Sequence, residues 1–103
     1  MTTCYSDLLA IAYHESRFDN GAIGDGGKSR GAFQIYSKAH PDISDEQAFD
    51  FEFSVNWTIE RLHHYGYPVT RTRAIKAHNG LAGNGMYEHD VKETAARFLA
   101  IGL

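Results

Sequence analysis

The 103-residue chain carries a formal charge of −3 with 43% hydrophobic and 22% charged residues, the balance of one globular domain rather than of a disordered segment. That acidic balance excludes the basic stripe of a nucleic-acid binder, so no nucleic-acid partner is expected. A single cysteine, Cys4, excludes an internal disulfide, and no apolar run is long enough to cross a membrane.

In chain order, Tyr5, Leu8, Leu9 and Ala12 recur at i, i+3, i+4 and i+7. This spacing predicts an amphipathic helix over about Thr3 to Glu15, capped by Thr2 or Thr3, with Asp7 near the favourable end of the helix dipole. Residues 16 to 36 read as an irregular or hairpin-like segment. Asp25-Gly26-Gly27 is a turn signal, and Ala32, Phe33, Ile35 and Tyr36 have the composition of a short strand or buried extended piece. Ser44 with Gln47 three residues on fits a capping box. Asp50 caps a helix over about Phe51 to Tyr65, with Phe51, Val55, Thr58, Ile59 and Leu62 as its apolar stripe and Gly66 as its stop. Thr70 opens a shorter helix that closes at Asn79-Gly80. A loop from Leu81 to Gly85 precedes a last helix, roughly Met86 to Ile101, whose stripe is Tyr87, Val91, Thr94, Ala95, Phe98 and Leu99. The predicted architecture is a single, mainly α domain with a small hairpin segment and no internal repeat.

Glu15 arrives at the end of the first helix, ahead of a loop holding Gly21, Gly24, Gly26, Gly27 and Gly31. A carboxyl held between a packed helix and such a loop can be partly desolvated and so stay protonated as a general acid. The alternative is a solvated helix-end residue. Glu15-Ser16-x-Phe18, then Gly31-x-x-Gln34-Ile35, then Ala77-x-Asn79-Gly80 stand in this order along the chain. The series resembles the lysozyme-like superfamily, and among its members soluble lytic transglycosylases (the SLT domain) and goose-type lysozymes, over roughly residues 5 to 100.

The resemblance implies an α+β lysozyme-like fold with the hairpin segment beside an active-site cleft, and a muramidase that cuts peptidoglycan glycan strands. It makes Glu15 the catalytic acid and base. It places Gln34 in the saccharide cleft, against the reading of Gln34 as an exposed strand residue. Ser16 supports the active-site geometry, and Gly31 lets the backbone lie close to the sugar. Phe18 reads most simply as a core residue. Asn79 contacts the N-acetylated sugar, and Tyr87, followed by Val91, flanks the cleft or packs in the core. His78 stands where the family has a tyrosine that reaches the catalytic glutamate. The tyrosine role does not carry over cleanly, but His78 can still hydrogen-bond Glu15, where a protonated ring would lower the carboxyl pKa, and it joins Gln34, Asn79 and Tyr87 as a candidate substrate-binding residue.

The alignment on Gly31 also bears on the second carboxylate that glycosidases normally use. The position that is acidic in chicken-type lysozymes is Ser29 here, and one goose-type aspartate falls on Asp25, the other on Tyr36. Asp25 is therefore either a water-positioning base or a turn former. If it is the latter, Glu15 works nearly alone, as in transglycosylases, where the muramyl 6-hydroxyl attacks within its own sugar and yields a 1,6-anhydro product. A non-catalytic glycan-binding module with the same fold is the third alternative.

No metal or other cofactor is expected. His14-Glu15 begins like a zincin helix, but residue 18 is phenylalanine, and adjacent His63 and His64 point to different helix faces. The expected partner is the peptidoglycan strand, met by a monomer with no membrane attachment. The N-terminus shows no basic stretch followed by an apolar segment, so delivery to the wall is expected from a phage lysis system or virion, or from a larger protein of which this is a module.

Overall fold

A computed structural model describes residues 3–80 and 83–103. Among these, five α-helices and a three-stranded sheet follow in the order α1 (Tyr5–Ser16), β1 (Ile23–Gly24), β2 (Ser29–Arg30), β3 (Ile35–Tyr36), α2 (Asp45–Phe49), α3 (Phe51–His64), α4 (Arg71–His78) and α5 (Met86–Ala100). The mainly α expectation with a minor sheet holds. No helix among the described residues is long and apolar enough to cross a membrane. The chain divides into two compact units, a central one of Ala12–Trp57 and a terminal one of Met1–Ile11 with Thr58–Leu103, so α1 and α3 each contribute to both.

The central unit is built on two tight hairpins. β1 pairs antiparallel with β2, Ile23 opposite Arg30 and Gly24 opposite Ser29, across a 3₁₀ turn at Asp25–Gly27. β2 pairs antiparallel with β3, Ser29 opposite Tyr36 and Arg30 opposite Ile35. The four residues between β2 and β3 are Gly31, Ala32, Phe33 and Gln34, closed by the Gln34 amide donating to the Gly31 carbonyl at 3.1 Å. Ala32 and Phe33 are therefore loop residues, not strand residues, and both are buried. Gly31 must be glycine: φ is +83°, and a Cβ would collide with the Ala48 carbonyl oxygen of α2. Arg30 of β2 is buried, its guanidinium donating to the carbonyls of Ile35 at 3.3 Å and Ile43 at 2.9 Å and pairing with Asp45 at 2.9 Å. α2 begins with the expected capping box, Gln47 N–H to Ser44 Oγ at 3.1 Å and Ser44 N–H to Gln47 Oε1 at 3.0 Å. α3 begins with the expected Asp50 cap, whose Oδ2 accepts from the Phe53 amide at 2.8 Å.

In the terminal unit α4 packs on α5, burying Ala74, Ile75 and Ala77 against a face that includes Val91 and Ala95. Small side chains at this contact let the two helix backbones approach closely. The start of α1 buries Leu8, Ala10 and Ile11, and the end of α3 buries Thr58 and Leu62. α3 stops at Gly66, with Tyr67 N–H donating to Leu62 O at 3.0 Å and Gly66 N–H to His63 O at 3.0 Å. Gly66 has φ +94°, and a Cβ there would meet the Thr70 hydroxyl, which donates to Tyr65 O at 2.7 Å.

Several helix faces differ from the periodicity reading. Tyr5 is exposed, and the buried side of α1 includes Asp7 and Ile11 beside Leu8 and Ala12. Phe51 and Leu99 are exposed, while Ser54 of α3 and Glu88 of α5 are buried; Thr58 and Leu62 of the expected α3 stripe are buried as expected. Thr3 does not cap α1; its hydroxyl shares a hydrogen bond with His63 Nε2 at 3.0 Å, and the first turn closes on the Cys4 carbonyl. Thr2, the other cap candidate, and Leu81 and Ala82 of the expected loop lie outside the described residues.

Candidate functional site

In the central unit, Glu15 occupies the last turn of α1 and is half-buried. The helix ends one residue later because Ser16 turns its side chain onto the hairpin. Ser16 Oγ donates to the Ala32 carbonyl at 2.8 Å, with the Ala12 carbonyl also within 3.1 Å, and accepts from the Asp19 amide at 3.1 Å. One hydroxyl thus joins the Glu15-Ser16 motif to the Gly31-to-Gln34 loop. Beyond it, Arg17 and Phe18 both lie in the left-handed region, at φ 54° and 65°. Two consecutive non-glycine residues there are uncommon, and such backbone is held only where its surroundings over-determine it. Phe18 is exposed rather than in the core, its ring 5.7 Å from that of Tyr13, and the Arg17 guanidinium lies 4.2 Å over the same Tyr13 ring.

Gln34 is also left-handed, at φ 51°. Its side-chain amide donates both protons inward, to Ala22 O at 3.1 Å and Gly31 O at 2.9 Å. Two carbonyl acceptors fix the amide orientation, so what Gln34 can offer a ligand is the acceptor Oε1, which lies against Gly24. The approach that Gly31 permits in this structure is the one to Ala48.

Asp25, at φ 51°, sits in the turn between β1 and β2 and is exposed. Ser29 Oγ donates to its Oδ2 at 2.5 Å. Ser29 and Asp25, two of the three positions considered for a second carboxylate, are thus hydrogen-bonded to each other.

The remaining predicted residues belong to the terminal unit. Ala77-His78-Asn79-Gly80 forms the C-terminal end of α4: the Asn79 amide donates to Lys76 O at 3.1 Å and the Gly80 amide to Ala77 O at 3.1 Å. His78 is half-buried and Asn79 exposed. Asn79 and Tyr87 come together as walls of a pocket of about 240 Å³, with Lys76, Gly80, Asn84 and Glu88 among the other lining residues. His78 does not line it.

Three buried charged groups escaped the sequence reading. Arg30 is described above. Asp7 is nearly fully buried and accepts from Tyr67 Oη at 2.6 Å and from the Arg71 guanidinium at 2.9 and 2.5 Å. Burial and the Asp7 hydrogen bond push the Tyr67 phenol well above its usual range, and the hydrogen bond to Asp7 raises Arg71. Glu88 is the third, with Lys76 Nζ at 3.9 Å. For Asp7 and Glu88 the sequence signal is a charge on the buried face of a helix, visible once the face is known; Arg30, in β2, carries no such signal.

Among the described residues one group of potential metal ligands stands out, His89, Asp90 and Glu93 on α5, with ligand atoms within 4.8 Å of one another. All three are exposed, and Glu93 is already paired with Arg97 at 3.0 Å.

No protein-family model, curated protein or solved structure matches the chain.

Proposed function

We propose that the protein is a peptidoglycan-cleaving muramidase acting on the β-1,4 bond between N-acetylmuramic acid and N-acetylglucosamine, with Glu15 as its acid and base. The observation that supports this best is the Ser16 bond to Ala32 at 2.8 Å. It ties the helix turn bearing Glu15 to the loop bearing Gln34, so the two motifs of the resemblance share one rigidly closed segment.

Of the possible outcomes, the lytic transglycosylase reaction is favoured. Asp25 is engaged by Ser29 in a turn, so no second carboxylate is needed to explain its presence. In the proposed reaction Glu15 protonates the glycosidic oxygen, and the C1–O bond breaks with its electron pair going to that oxygen. The resulting carboxylate then takes the proton of the muramyl 6-hydroxyl as that oxygen bonds to C1. The proton count closes and no water is consumed. An internal nucleophile held near C1 supplies the proximity that a positioned water would otherwise provide. Gln34 contributes an acceptor, and Asn79 and Tyr87 hold glycan in the pocket of their own unit.

Mass spectrometry of muropeptides released from purified peptidoglycan tests this. Products lighter by one water than reducing-end sugars are expected. Reducing-end products would replace the transglycosylase reading by goose-type hydrolysis with Asp25 on the water. Binding without release would make the chain a glycan-binding module.

A further inference from the structure

Beside the Asp7–Arg71 ion pair, the terminal unit holds a cavity of about 410 Å³ that plays no part in the proposed cleavage. Its volume falls in the range of about 300–1,000 Å³ typical of small-molecule sites. Pro68, Ala95, Ala96 and Leu99 give it an apolar wall. Leu99 keeps the helical period of α5 yet is 63% exposed, so part of this wall is apolar surface left open to solvent. The polar groups of the cavity are already spent on one another. Tyr67 Oη donates to Asp7 and accepts from the Cys4 amide at 3.0 Å, Arg71 donates to Asp7, and Cys4 Sγ and Ser6 Oγ share a hydrogen bond at 3.0 Å. Satisfied polar atoms beside an apolar wall favour an apolar occupant over a sugar.

Charge fixes the other end of that occupant. Arg71 and Lys92 also line a second pocket, of about 520 Å³, to which Arg73, Thr70 and Thr72 contribute. The residues lining the two pockets thus hold three cations against a single carboxylate, Asp7, which Arg71 already binds. Lys92 Nζ donates to the neutral Thr72 hydroxyl at 2.9 Å, so its charge is not offset by that bond. A local excess of positive charge in a chain of net charge −3 attracts an anion and repels a cation. We infer that this cavity binds a small apolar molecule ending in one anionic group, of the fatty-acid type. Its chain lies along Ala95, Ala96 and Leu99, and its head meets Lys92 and Arg73. The inference goes beyond the glycan reading and does not depend on it.

Titration of the intact chain with sodium octanoate, followed by NMR, tests it. Chemical-shift changes are expected at Lys92, Ala95, Ala96 and Leu99. From butanoate to octanoate, affinity is expected to rise about threefold to fourfold for each methylene buried. Lys92→Met keeps a side chain of similar length without its charge. It is expected to weaken octanoate binding about threefold to tenfold and to leave octan-1-ol binding unchanged. Ala96→Glu, a change at an exposed position of the wall, is expected to abolish octanoate binding with little change in melting temperature. Affinity independent of chain length, octan-1-ol bound as tightly as octanoate, or shifts that map away from the cavity overturns the inference. So does binding to phosphatidylglycerol vesicles with none to octanoate, which would make this face a membrane-contact surface instead.

Discussion

At the scale of single residues, Gln34 shows how a sequence signal and its physical cause can differ. A glutamine among Ala32, Phe33 and Ile35 was legible as unusual. Its two donated hydrogen bonds to Ala22 O and Gly31 O were not, because they depend on a left-handed backbone that no local propensity announces. Gln34→Ala leaves both carbonyls without that donor and is expected to cost about 1–3 kcal/mol in chemical denaturation. Gln34→Glu should cost more, since it turns an acceptor-only carboxylate toward two carbonyl oxygens. A Gln34→Glu protein as stable as wild type would show that the amide is not what closes this loop. Ser16→Ala probes the joint between the two motifs. It is expected to lose about 1 kcal/mol of stability and a larger share of turnover.

At the scale of elements, the ends of α2 and α3 were easier to read than helix faces. The Ser44–Gln47 capping box, the Asp50 cap and the Gly66 stop each depend on contacts within a few residues, so the sequence carries them whole. Faces depend on what lies opposite. Phe51 kept the helical period of α3 yet is exposed, and Ser54 is buried because its hydroxyl donates to the Ala48 carbonyl at 2.8 Å. A satisfied small polar residue packs as readily as an apolar one, and periodicity cannot foresee the partner. The hairpin between β2 and β3 gives the sharpest element-level test. Gly31→Ala combines a left-handed φ with a collision against the Ala48 backbone, and is expected to destabilise by roughly 2–4 kcal/mol. A shift in denaturation midpoint near zero would contradict the packing described for α2 against the sheet.

At the scale of the whole molecule, each compact unit is anchored by a buried charge tied to distant parts of the chain. Arg30 reaches Asp45, and Asp7 reaches Tyr67 and Arg71 some sixty residues on. Asp7 was read as a helix-dipole residue because that reading is local; the long-range pair is invisible until the fold brings α4 to α1. Removing one partner of a buried pair leaves the others short of an acceptor, and Asp7→Ala is expected to cost roughly 2–4 kcal/mol, discounted because Arg71 is partly exposed. The pH dependence follows from Tyr67. Its phenol is raised in the folded state by burial and by donation to Asp7. The unfolded chain therefore loses this proton first, and the stability the group contributes is fully present below about pH 10 and declines as pH rises beyond it. Thermal melts between neutral and strongly alkaline pH should show that decline, and Tyr67→Phe should flatten it. A profile unchanged by the substitution would place the alkaline sensitivity elsewhere.

The central claim is that Glu15, held by Ser16 against the hairpin loop, cleaves glycan. The measurement that tests it most directly is a muropeptide mass spectrum of peptidoglycan digested by wild type and by Glu15→Gln at equal folded concentration. The account predicts 1,6-anhydromuramyl products from wild type, and their near-complete loss in a variant whose melting temperature is little changed. Full release by Glu15→Gln, or none by wild type, would contradict it.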